Sequence, residues 1–416
     1  MRSWQKVCVL FVLSGGSVER TTPDAAGQDV HAARACTRPS ARHYSEGETV
    51  VLREERTFPC KIAIVDAHIA LVADSAGFVT NIGQKVEVDA QGRFYTYTGF
   101  GDVSVWAADG RFIQKIGRKG DGPGELTGGN LYFQIDGAGR VYIRDNHPRW
   151  TILSPNLEFV RTANASGMGS EREQAAFLDT GELLTAAPSS LDAQYYFHVY
   201  DFAKSEPADS VRGARRSIGG GPALVRSFGA ILMSERSVRA DQRVRSIGYS
   251  GGSTFWAGPP QGAGRGYQLE LWSLDGRRLR TIQRAVHWLP TRPIVSVRRG
   301  ETDIPPPEFE ILDDDGSGLL YVTIVAANAR WNPMLDVRDP AKRRELQQAM
   351  VDVCVEVIDV NAGIVMASTG LLRPAEAERV YPSGLFRRSH RGFQRIETNA
   401  GYPMMRIVEY QLVSAR

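Results

Sequence analysis

Two glycine-rich segments have the composition of loops that bind phosphate groups. They are GDGPGEL, which ends at Leu126, and the run Gly219 to Gly221. A phosphate-binding loop of the P-loop class continues into Gly-Lys-Ser/Thr and leads from a strand into a helix, and neither segment does so. The sequence also has no G-x-S-x-G motif of the kind that carries a nucleophilic serine. Both segments are therefore predicted to form turns.

The cysteines and histidines form no recognisable reactive motif. Cys8 lies in an N-terminal apolar run, and Cys36, Cys60 and Cys354 show neither a zinc-type spacing nor a C-x-x-C pair. In an oxidising compartment these three permit one disulfide, with Cys36 and Cys60 the closer pair in the sequence, or none. Cys60 and Cys354 are flanked by strand-like residues and are predicted core positions. His147 and His198 lie near predicted strand ends, where hydrogen-bonded loop residues are expected.

The charge balance gives no indication of a nucleic-acid partner. The 50 basic and 47 acidic residues leave a formal charge of +3, and 42% of the residues are hydrophobic. A protein that binds nucleic acid mainly through phosphates carries a basic patch or a clear basic excess. We therefore expect a globular chain whose partners do not include nucleic acid.

A signal peptide is predicted over residues 1–17. Arg2 and Lys6 precede the apolar run Val7 to Leu13, and small residues follow it up to Ser17. The run is too short to span a membrane, so no transmembrane segment is expected after cleavage. A buried N-terminal strand is the alternative for this run. Residues 18–60 have the composition of a linker, and the mature protein is predicted to be periplasmic or extracellular.

A structural repeat runs through the chain. The stretch from Val86 to Gly117 aligns with the stretch from Phe133 to Thr162 at a constant offset of 47 residues, so that Gly92 falls on Gly139. Each copy reads as four short runs of alternating hydrophobicity separated by turns. Four strands per repeat predict an all-β fold of the β-propeller type, in which each repeat is one blade.

Weaker copies bring the predicted number of blades to six. They begin near Phe177, Val244, Phe309 and Gly384. The last copy lacks a full fourth strand, and the segment Lys61 to Asp74 is expected to supply it, because ring closure removes exposed strand edges. The propeller is thus predicted over residues 61–416. A short helical insertion is predicted in the fifth blade, with Asp339 as N-cap, Pro340 at the first helical position, and a continuation through Val353.

The long segments are predicted to collect at one end of the blades. Turns between first and second strands and between third and fourth strands are short and contain Asp and Gly, which tolerate positive φ. The long segments, including 213–242 and 285–307 between blades and 326–351 within the fifth, were all assigned to the other end. Insertions gathered on one face usually mark the binding face.

Arginine and tryptophan residues on this loop-rich face are the candidate binding residues, because both types are frequent binding anchors. A tryptophan at a strand end can instead pack between blades, and this alternative applies to two members of the set. The candidates are Arg149, Trp150, Trp256, Arg265, Arg330 and Trp331.

One junction resembles a known family. The segment IGRKGDGPGEL, from Ile116 to Leu126, resembles the blade-to-blade junction of NHL repeat propellers, and the DxxGR turns at Asp89 and Asp136 add to the likeness. The chain is similar to exported bacterial six-bladed β-propeller proteins of the NHL-like or TolB-like superfamily, many of which have no assigned activity. The resemblance extends from about Lys61 to the C-terminus.

The resemblance also implies an enzymatic alternative. Some six-bladed propellers are lactonases or lyases that hold a metal ion with carboxylate, amide or histidine side chains from several blades. The residues available for such a site are Asp145, Asn146, Glu397 and Asn399. These motifs do not match convincingly, so no metal and no cofactor are expected, with calcium the candidate under this alternative. The favoured hypothesis is a non-enzymatic binding or scaffolding propeller that engages a protein, peptide or glycan through its loop-rich face.

Overall fold

The strands of this protein build sheets of four or five strands. The computed structural model describes residues 36, 46–52, 57–72, 86–97, 102–120, 122, 124–127, 132–144, 149–164, 175–188, 194–202, 223–232, 246–249, 251–259, 267–286, 289, 308–313, 318–328, 330, 350–372, 384–385, 391–397 and 403–415. Their strands form five four-stranded sheets, one five-stranded sheet and a two-stranded ribbon. The described residues include no α-helix, and none of their segments is a helix that could cross a membrane.

The strands follow the chain in sets of four. β1 (Glu48–Leu52) and β2 (Cys60–Val72) come first, and sheet 1 contains β3 (Val86–Val88), β4 (Phe94–Tyr97), β5 (Val103–Trp106) and β6 (Phe112–Ile116). The ribbon pairs β7 (Arg118–Lys119) with β8 (Glu125–Leu126). Sheet 2 contains β9 (Tyr132–Ile135), β10 (Val141–Arg144), β11 (Arg149–Leu153) and β12 (Phe159–Asn164).

The remaining sheets have the same antiparallel order. Sheet 3 contains β13 (Ala176–Phe177), β14 (Leu183–Pro188), β15 (Gln194–Asp201) and β16 (Ala223–Leu232). Sheet 4 contains β17 (Ile247–Gly248), β18 (Thr254–Ala257), β19 (Tyr267–Ser273) and β20 (Arg278–Arg284). Sheet 5 contains β21 (Glu308–Asp313), β22 (Leu319–Ala327), β23 (Val351–Asp359) and β24 (Ile364–Ser368). Sheet 6 contains β25 (Gly384–Leu385), β26 (Arg391–Glu397) and β27 (Pro403–Ser414).

Both N-terminal strands join sheets that lie far away in the sequence. β2 completes sheet 6 by antiparallel pairing with β27, from Cys60 opposite Ser414 to Val72 opposite Met404. The predicted pairing of Lys61 to Asp74 with the last repeat is therefore confirmed. β1 pairs in parallel with β20 and widens sheet 4 to five strands. Part of the segment assigned to a linker, 18–60, thus forms a strand.

Clusters of buried apolar side chains join each sheet to the next. Among the described residues, successive clusters lie between sheets 1 and 2, 2 and 3, 3 and 4, 4 and 5, and 5 and 6, and another joins sheet 6 back to sheet 1. The first strands of neighbouring sheets also contact each other: β3 contacts β9, and β9 contacts β13. Sheets that pack face to face around a centre and close on themselves form a β-propeller. The protein is an all-β propeller.

A disulfide fastens the N-terminal segment to the ring. Cys36 and Cys60 are bonded, and both lie in the cluster between sheets 5 and 6. Val50 of β1 lies beside Gly363, in the turn between β23 and β24 of sheet 5. The sequence left this disulfide open, because spacing alone does not bring Cys36 next to β2. Cys354 is a buried free cysteine, as predicted, and burial raises the pKa of its thiol to about 12.

Two predicted boundaries in the irregular repeats need correction. β16 lies inside the segment 213–242 that was assigned to a connection between repeats, and it is the fourth strand of sheet 3. The predicted helix from Asp339 falls mostly outside the described residues, but Val351 to Val353, its last three positions, belong to β23. Short apolar runs of this kind suit a helix or a strand equally, and pairing with β22 decides in favour of the strand.

Candidate binding face

The connections divide the propeller into two faces. Segments between first and second strands (89–93, 136–140, 178–182) and most segments between third and fourth strands (107–111, 154–158, 274–277) are short, and they define the turn face. Segments between second and third strands and between sheets end at the opposite, loop-rich face. One long segment contradicts the prediction that all of them lie there. Residues 203–222 join the third and fourth strands of sheet 3, so this connection begins and ends at the turn face.

The polar side chains of the turn face are used in internal bonds. In sheet 1 the Asp89 carboxylate accepts hydrogen bonds from the backbone N–H of Arg93 at 2.9 Å, from Arg93 Nε at 2.6 Å and from the Tyr95 hydroxyl at 2.9 Å. Gly92 stands in this turn with a φ of 75°, a conformation that costs glycine nothing. Burial raises the pKa of Tyr95, and its hydrogen bond to Asp89 adds to the rise. The DxxGR motif is therefore a structural unit.

The same unit recurs in sheet 2 and reaches into the next sheet. Asp136 accepts hydrogen bonds from the backbone N–H of Arg140 at 2.9 Å, from Arg140 Nε at 2.6 Å and from the Tyr142 hydroxyl at 3.0 Å. Arg93 Nη2 donates to the Pro155 carbonyl of sheet 2 at 2.7 Å, and Asp179 of sheet 3 accepts from the Gly252 N–H of sheet 4 at 3.0 Å. The last two of these bonds join neighbouring sheets.

Two of the predicted binding residues are enclosed by the ring. Trp150 is 1% exposed and packs edge-on against Phe177 and Phe202 of sheet 3. Trp256 is 2% exposed and belongs to the cluster between sheets 4 and 5. Their indole rings hold neighbouring sheets together, so neither offers a surface to a partner. Packing between blades, the alternative for a tryptophan at a strand end, is the arrangement that the structure has.

The predicted arginines differ in how much they are engaged. Arg149 begins β11 and donates a hydrogen bond from Nη2 to the Glu125 carbonyl at 3.0 Å, which ties the junction between sheets 1 and 2. Arg330 is exposed, and its backbone N–H donates to Asn328 Oδ1 at 2.9 Å just after β22. Arg265 and Trp331 lie outside the described residues. Arg330 is thus the described member of the set that is open to a partner.

Of the candidate metal ligands, the structure describes Glu397 alone. Asp145, Asn146 and Asn399 lie outside the described residues, as does His147. Glu397 ends β26, where its backbone lies opposite Pro403. Within the described part of the chain there is no group of three or more acidic, histidine or cysteine side chains close enough to hold a metal ion.

Comparisons with known proteins support the fold. The structure resembles a suspected exported protein from Bacteroides fragilis with a TM-score of 0.52 at 11% identity, over 87% of this chain and 99% of that one. It also matches a protein of unknown function from Bacteroides caccae (TM-score 0.33, 13% identity, 69% and 80% covered) and hydrazine synthase from Kuenenia stuttgartiensis (TM-score 0.37, 10% identity, 70% and 67% covered).

Sequence comparisons give no family. No protein-family model matches the chain, and no curated protein matches it either. The likeness to the Bacteroides fragilis protein, at 11% identity, concerns the fold alone, and the two lower TM-scores carry no argument. What the propeller binds therefore has to be inferred from its own side chains.

The junction between sheets 1 and 2 is held by hydrogen bonds to Glu125. Glu125 Oε2 accepts a hydrogen bond from the Gly122 N–H at 2.9 Å, and Oε1 accepts one from Arg118 Nε at 3.0 Å. The Gly122 bond, followed by the Arg118 bond, lowers the pKa of the Glu125 carboxyl. The GDGPGEL segment is therefore a loop closed by its own glutamate, as expected for a turn.

A buried ion pair lies beneath the same face between sheets 4 and 5. Arg284, at the end of β20, pairs with Glu356 of β23, and Ser368 Oγ donates to Glu356 Oε1 at 3.1 Å. The side chains of the pair are 3% and 1% exposed. Tyr267 lies beside them, and its complete burial raises its pKa. These groups face each other inside the ring and join two sheets.

Sheet 3 carries a set of side chains that sequence reasoning did not single out as a site. Tyr196, His198 and Tyr200 alternate along β15 and are all partly buried, with successive ring centroids 6.0 Å apart. We call these three residues the ring strip. His198 Nδ1 is hydrogen-bonded to Ser227 Oγ on β16 at 2.8 Å. The alternating Y-x-H-x-Y pattern in QYYFHVYD was the sequence signal that could have identified it.

Proposed function

We propose that this chain is an exported, non-enzymatic propeller that binds or scaffolds a protein, peptide or glycan through its loop-rich face. The observation that carries the proposal is the difference between the two faces. The buried carboxylates of the turn face, Asp89 and Asp136, are committed to bonds with the arginine and tyrosine of their own sheet. Long connections reach the other face from several sheets, and segments of this kind are where binding residues concentrate.

The proposal includes six blades of the NHL-like or TolB-like kind. Five sheets have four strands each, and sheet 4 becomes a blade of the same type once β1 is recognised as an added outer strand. The chain of buried clusters from sheet 1 to sheet 6 and back supports this count. If the six blades are evenly spaced around the ring, their loop-rich ends surround one central opening.

Export is supported by the disulfide. Cys36 and Cys60 are bonded, and such bonds persist in oxidising compartments such as the periplasm and are rare in the cytosol. A signal peptide over residues 1–17 would deliver the chain to that compartment, and the secreted protein should lack about the first 17 residues by mass spectrometry. Protein that carries both an intact Met1 and reduced Cys36 and Cys60 would contradict this part of the proposal.

The binding set is revised by burial. Arg330 is exposed, and Trp331 follows it, so these two are the proposed anchors, with Arg265 from sheet 4 as a further member. Arg149 is proposed as a supporting residue because it orders the junction at Glu125. Trp150 and Trp256 are proposed to act indirectly, by keeping the sheets that carry the loops in place.

A site-specific crosslinking experiment tests the choice of face. A photoreactive phenylalanine analogue is placed at Trp331 in one variant and at Asn156, an exposed turn-face position, in another. We expect discrete adducts with one peptide or glycan from position 331 and none from position 156. Arg330→Ala should weaken binding of that partner roughly thirtyfold, the effect of a typical hot-spot residue. Adducts from position 156 alone would invert the assignment of the functional face.

A further inference from the structure

The sheets of the ring differ in how their outermost strands are protected. From sheet 1 to sheet 6 these strands are β6, β12, β16, β1, β24 and β2. A strand at the edge of a sheet presents backbone N–H and C=O groups with which another strand can pair, and β-bulges are one of the devices that prevent such pairing. The outermost strands can therefore be compared by the regularity of their ladders.

Five of these six described strands join their sheets through an irregular ladder. A register shift interrupts the pairing of β6, β12, β24 and β2 with the strand beside each of them, and two shifts interrupt the pairing of β16. In β2 the shift lies between Asp66 and Ile69, where His68 has a φ of 57°. A bulge bends the strand and increases its twist, so these edges are poor templates for a further strand.

β1 is the regular edge. Its five residues pair with β20 in an unbroken parallel register, from Glu48 opposite Arg280 to Leu52 opposite Arg284. No strand among the described residues pairs with its outer side. Its sequence, ETVVL, contains three consecutive β-branched residues and neither proline nor lysine, two residues that protect strand edges. β1 thus has the features of a strand that accepts a partner.

The two faces of β1 are unequal. Leu52 is buried in the cluster between sheets 4 and 5, and Val50 lies beside Gly363 of sheet 5. Thr49 and Val51 alternate with these residues, so they point to the other face, and both are exposed. Val51 is 66% exposed, the largest fraction of any large apolar side chain in the described part of the chain. The strand is therefore fixed on one face and uncovered on the other.

The acidic groups of this edge are paired within the chain. A carboxylate oxygen of Glu48 lies 3.7 Å from Arg280 Nη2, and one of Glu46, just before the strand, lies 3.3 Å from Arg277 Nη1. Each carboxylate thus has a positively charged neighbour of its own. Two copies of β1 can approach each other without bringing unbalanced negative charges together.

The side-chain pattern of β1 is complementary to itself. When two copies pair in the antiparallel sense about Val50, the two Val50 residues lie opposite each other, Thr49 lies opposite Val51, and Glu48 lies opposite Leu52. No like charges then stand opposite each other, and the exposed Thr49 and Val51 of both copies form one patch of β-branched side chains. Pairing of a surface with the same surface of a second copy is the arrangement of a two-fold dimer. This self-complementarity selects a second copy of the chain as the partner.

We propose that the protein forms a two-fold dimer in which the β1 strands of two copies pair antiparallel and join their five-stranded sheets into one. A pair of five-residue strands is a small interface compared with the roughly 1,200–2,000 Å² of stable complexes, so the dissociation constant is expected at roughly 10–100 µM. The dimer goes beyond the proposed function and does not depend on what the loop-rich face binds.

Sedimentation equilibrium of the purified protein over a range of concentrations tests the dimer. We expect a reversible monomer–dimer equilibrium, and Val51→Lys should weaken it at least about tenfold, because a lysine on an edge strand opposes pairing. Val51→Thr keeps a β-branched side chain and should retain the dimer within about threefold. Val160→Lys is the matched control, since Val160 is 53% exposed on β12, an outermost strand with a bulge, and its replacement should have no effect.

Introduced cysteines test the register of the pair. Opposite residues in an antiparallel pair have Cα atoms about 4.5–5.5 Å apart, within reach of a disulfide, whereas the two copies of position 49 would be about 8 Å apart, beyond the limit of roughly 7 Å. The same holds for the two copies of position 51. A mixture of the Thr49→Cys and Val51→Cys proteins should therefore form crosslinked dimers under mild oxidation much faster than either protein alone.

Three results would overturn the proposal. The first is a protein that stays monomeric at millimolar concentration, whether or not β1 then pairs with a strand of an unrelated protein. The second is a dimer that Val51→Lys weakens no more than Val160→Lys does, which would place the interface elsewhere. The third is crosslinking of the Thr49→Cys protein alone as fast as that of the mixture, which would exclude the antiparallel register. Melting curves of each variant establish that the protein is folded.

Discussion

Tyr142 and Tyr196 are both strand tyrosines, in neighbouring sheets, but the protein uses them in opposite ways. Tyr142 lies next to a turn of sheet 2, its hydroxyl donates to Asp136, and its ring stacks on Phe177 at 3.6 Å. Tyr196 lies toward the loop-rich end of sheet 3 and is partly buried, with its ring centroid 6.0 Å from that of His198. Tyr142 is held by the turn of its own sheet and by the next sheet, whereas Tyr196 lies in a row of rings along one strand. Residue type alone does not distinguish structure from function here.

The two faces exist only if the ring of sheets is closed. Opening the ring should therefore lower the stability of the protein more than any other change. A chain that starts at Lys85 loses β2, so β27 has no outer partner and Met405 and Ile407 lose Leu71 from their cluster. We expect this chain to lose cooperative unfolding and to aggregate, because an edge of that length becomes exposed. Calorimetric melting of the purified protein measures the effect.

A second truncation separates the effect of ring closure by β2 from the effect of β1 and the Cys36–Cys60 disulfide. A chain that starts at Phe58 keeps β2 but lacks β1 and the disulfide, which closes a sequence separation of 24 residues. Because this chain loses the pairing of β1 with β20 and the packing of Cys36, it should fold with a lower melting temperature. Equal melting of the Lys85 chain and the full chain would show that β2 does not close the ring.

Asp136→Ala tests the structural role of the turn face. The substitution removes the acceptor of Arg140 and leaves the buried Tyr142 hydroxyl without its partner, and a buried polar group left unsatisfied costs about 1–3 kcal/mol. Asp109→Ala is the matched control, since Asp109 is an exposed turn residue that accepts one backbone bond at 3.0 Å, and its loss should cost less than about 1 kcal/mol. Urea unfolding measures both values. A stable Asp136→Ala protein that no longer binds its ligand would move the function to the turn face.

Metal ions should have the smallest effect on the melting temperature. Under the binding hypothesis, calcium or zinc at micromolar concentration leaves the melting temperature of the full chain unchanged, and so does a chelator. Asp145→Ala and Glu397→Ala should then behave as the parent does with and without metal. A reproducible rise of the melting temperature that disappears in these two variants would instead favour the metal-assisted hydrolase or lyase.

Much of the fold could be read from alternation and turns. The offset that places Gly92 on Gly139 corresponds to the same turn in sheets 1 and 2, and the shortfall of the last repeat correctly pointed to β2 as its partner. β16 was missed because the long charged and glycine-rich segment before it looks like a connection between repeats. β1 was missed because a strand that pairs in parallel with a distant partner has no local turn signal.

The candidate site was harder to predict, because exposure depends on neighbouring sheets. Trp150 lies near the start of β11 and Arg330 just after the end of β22, both on the loop-rich side. Phe177 and Phe202 cover Trp150, whereas Arg330 is exposed. The sequence predicts His198 as a hydrogen-bonded loop residue near a strand end; it is hydrogen-bonded to Ser227 but lies within β15. That Tyr196, His198 and Tyr200 share one face of the sheet follows only once the register with β14 is known.

Hydrogen–deuterium exchange on the full chain, with and without the partner captured by crosslinking from position 331, tests the central claim most directly. If the ligand engages the loop-rich side, exchange should slow in peptides that cover 194–200 and 326–330, whereas the turns 136–140 and 154–158 keep their rates. Slower exchange confined to those turns, with 194–200 unchanged, would contradict the account.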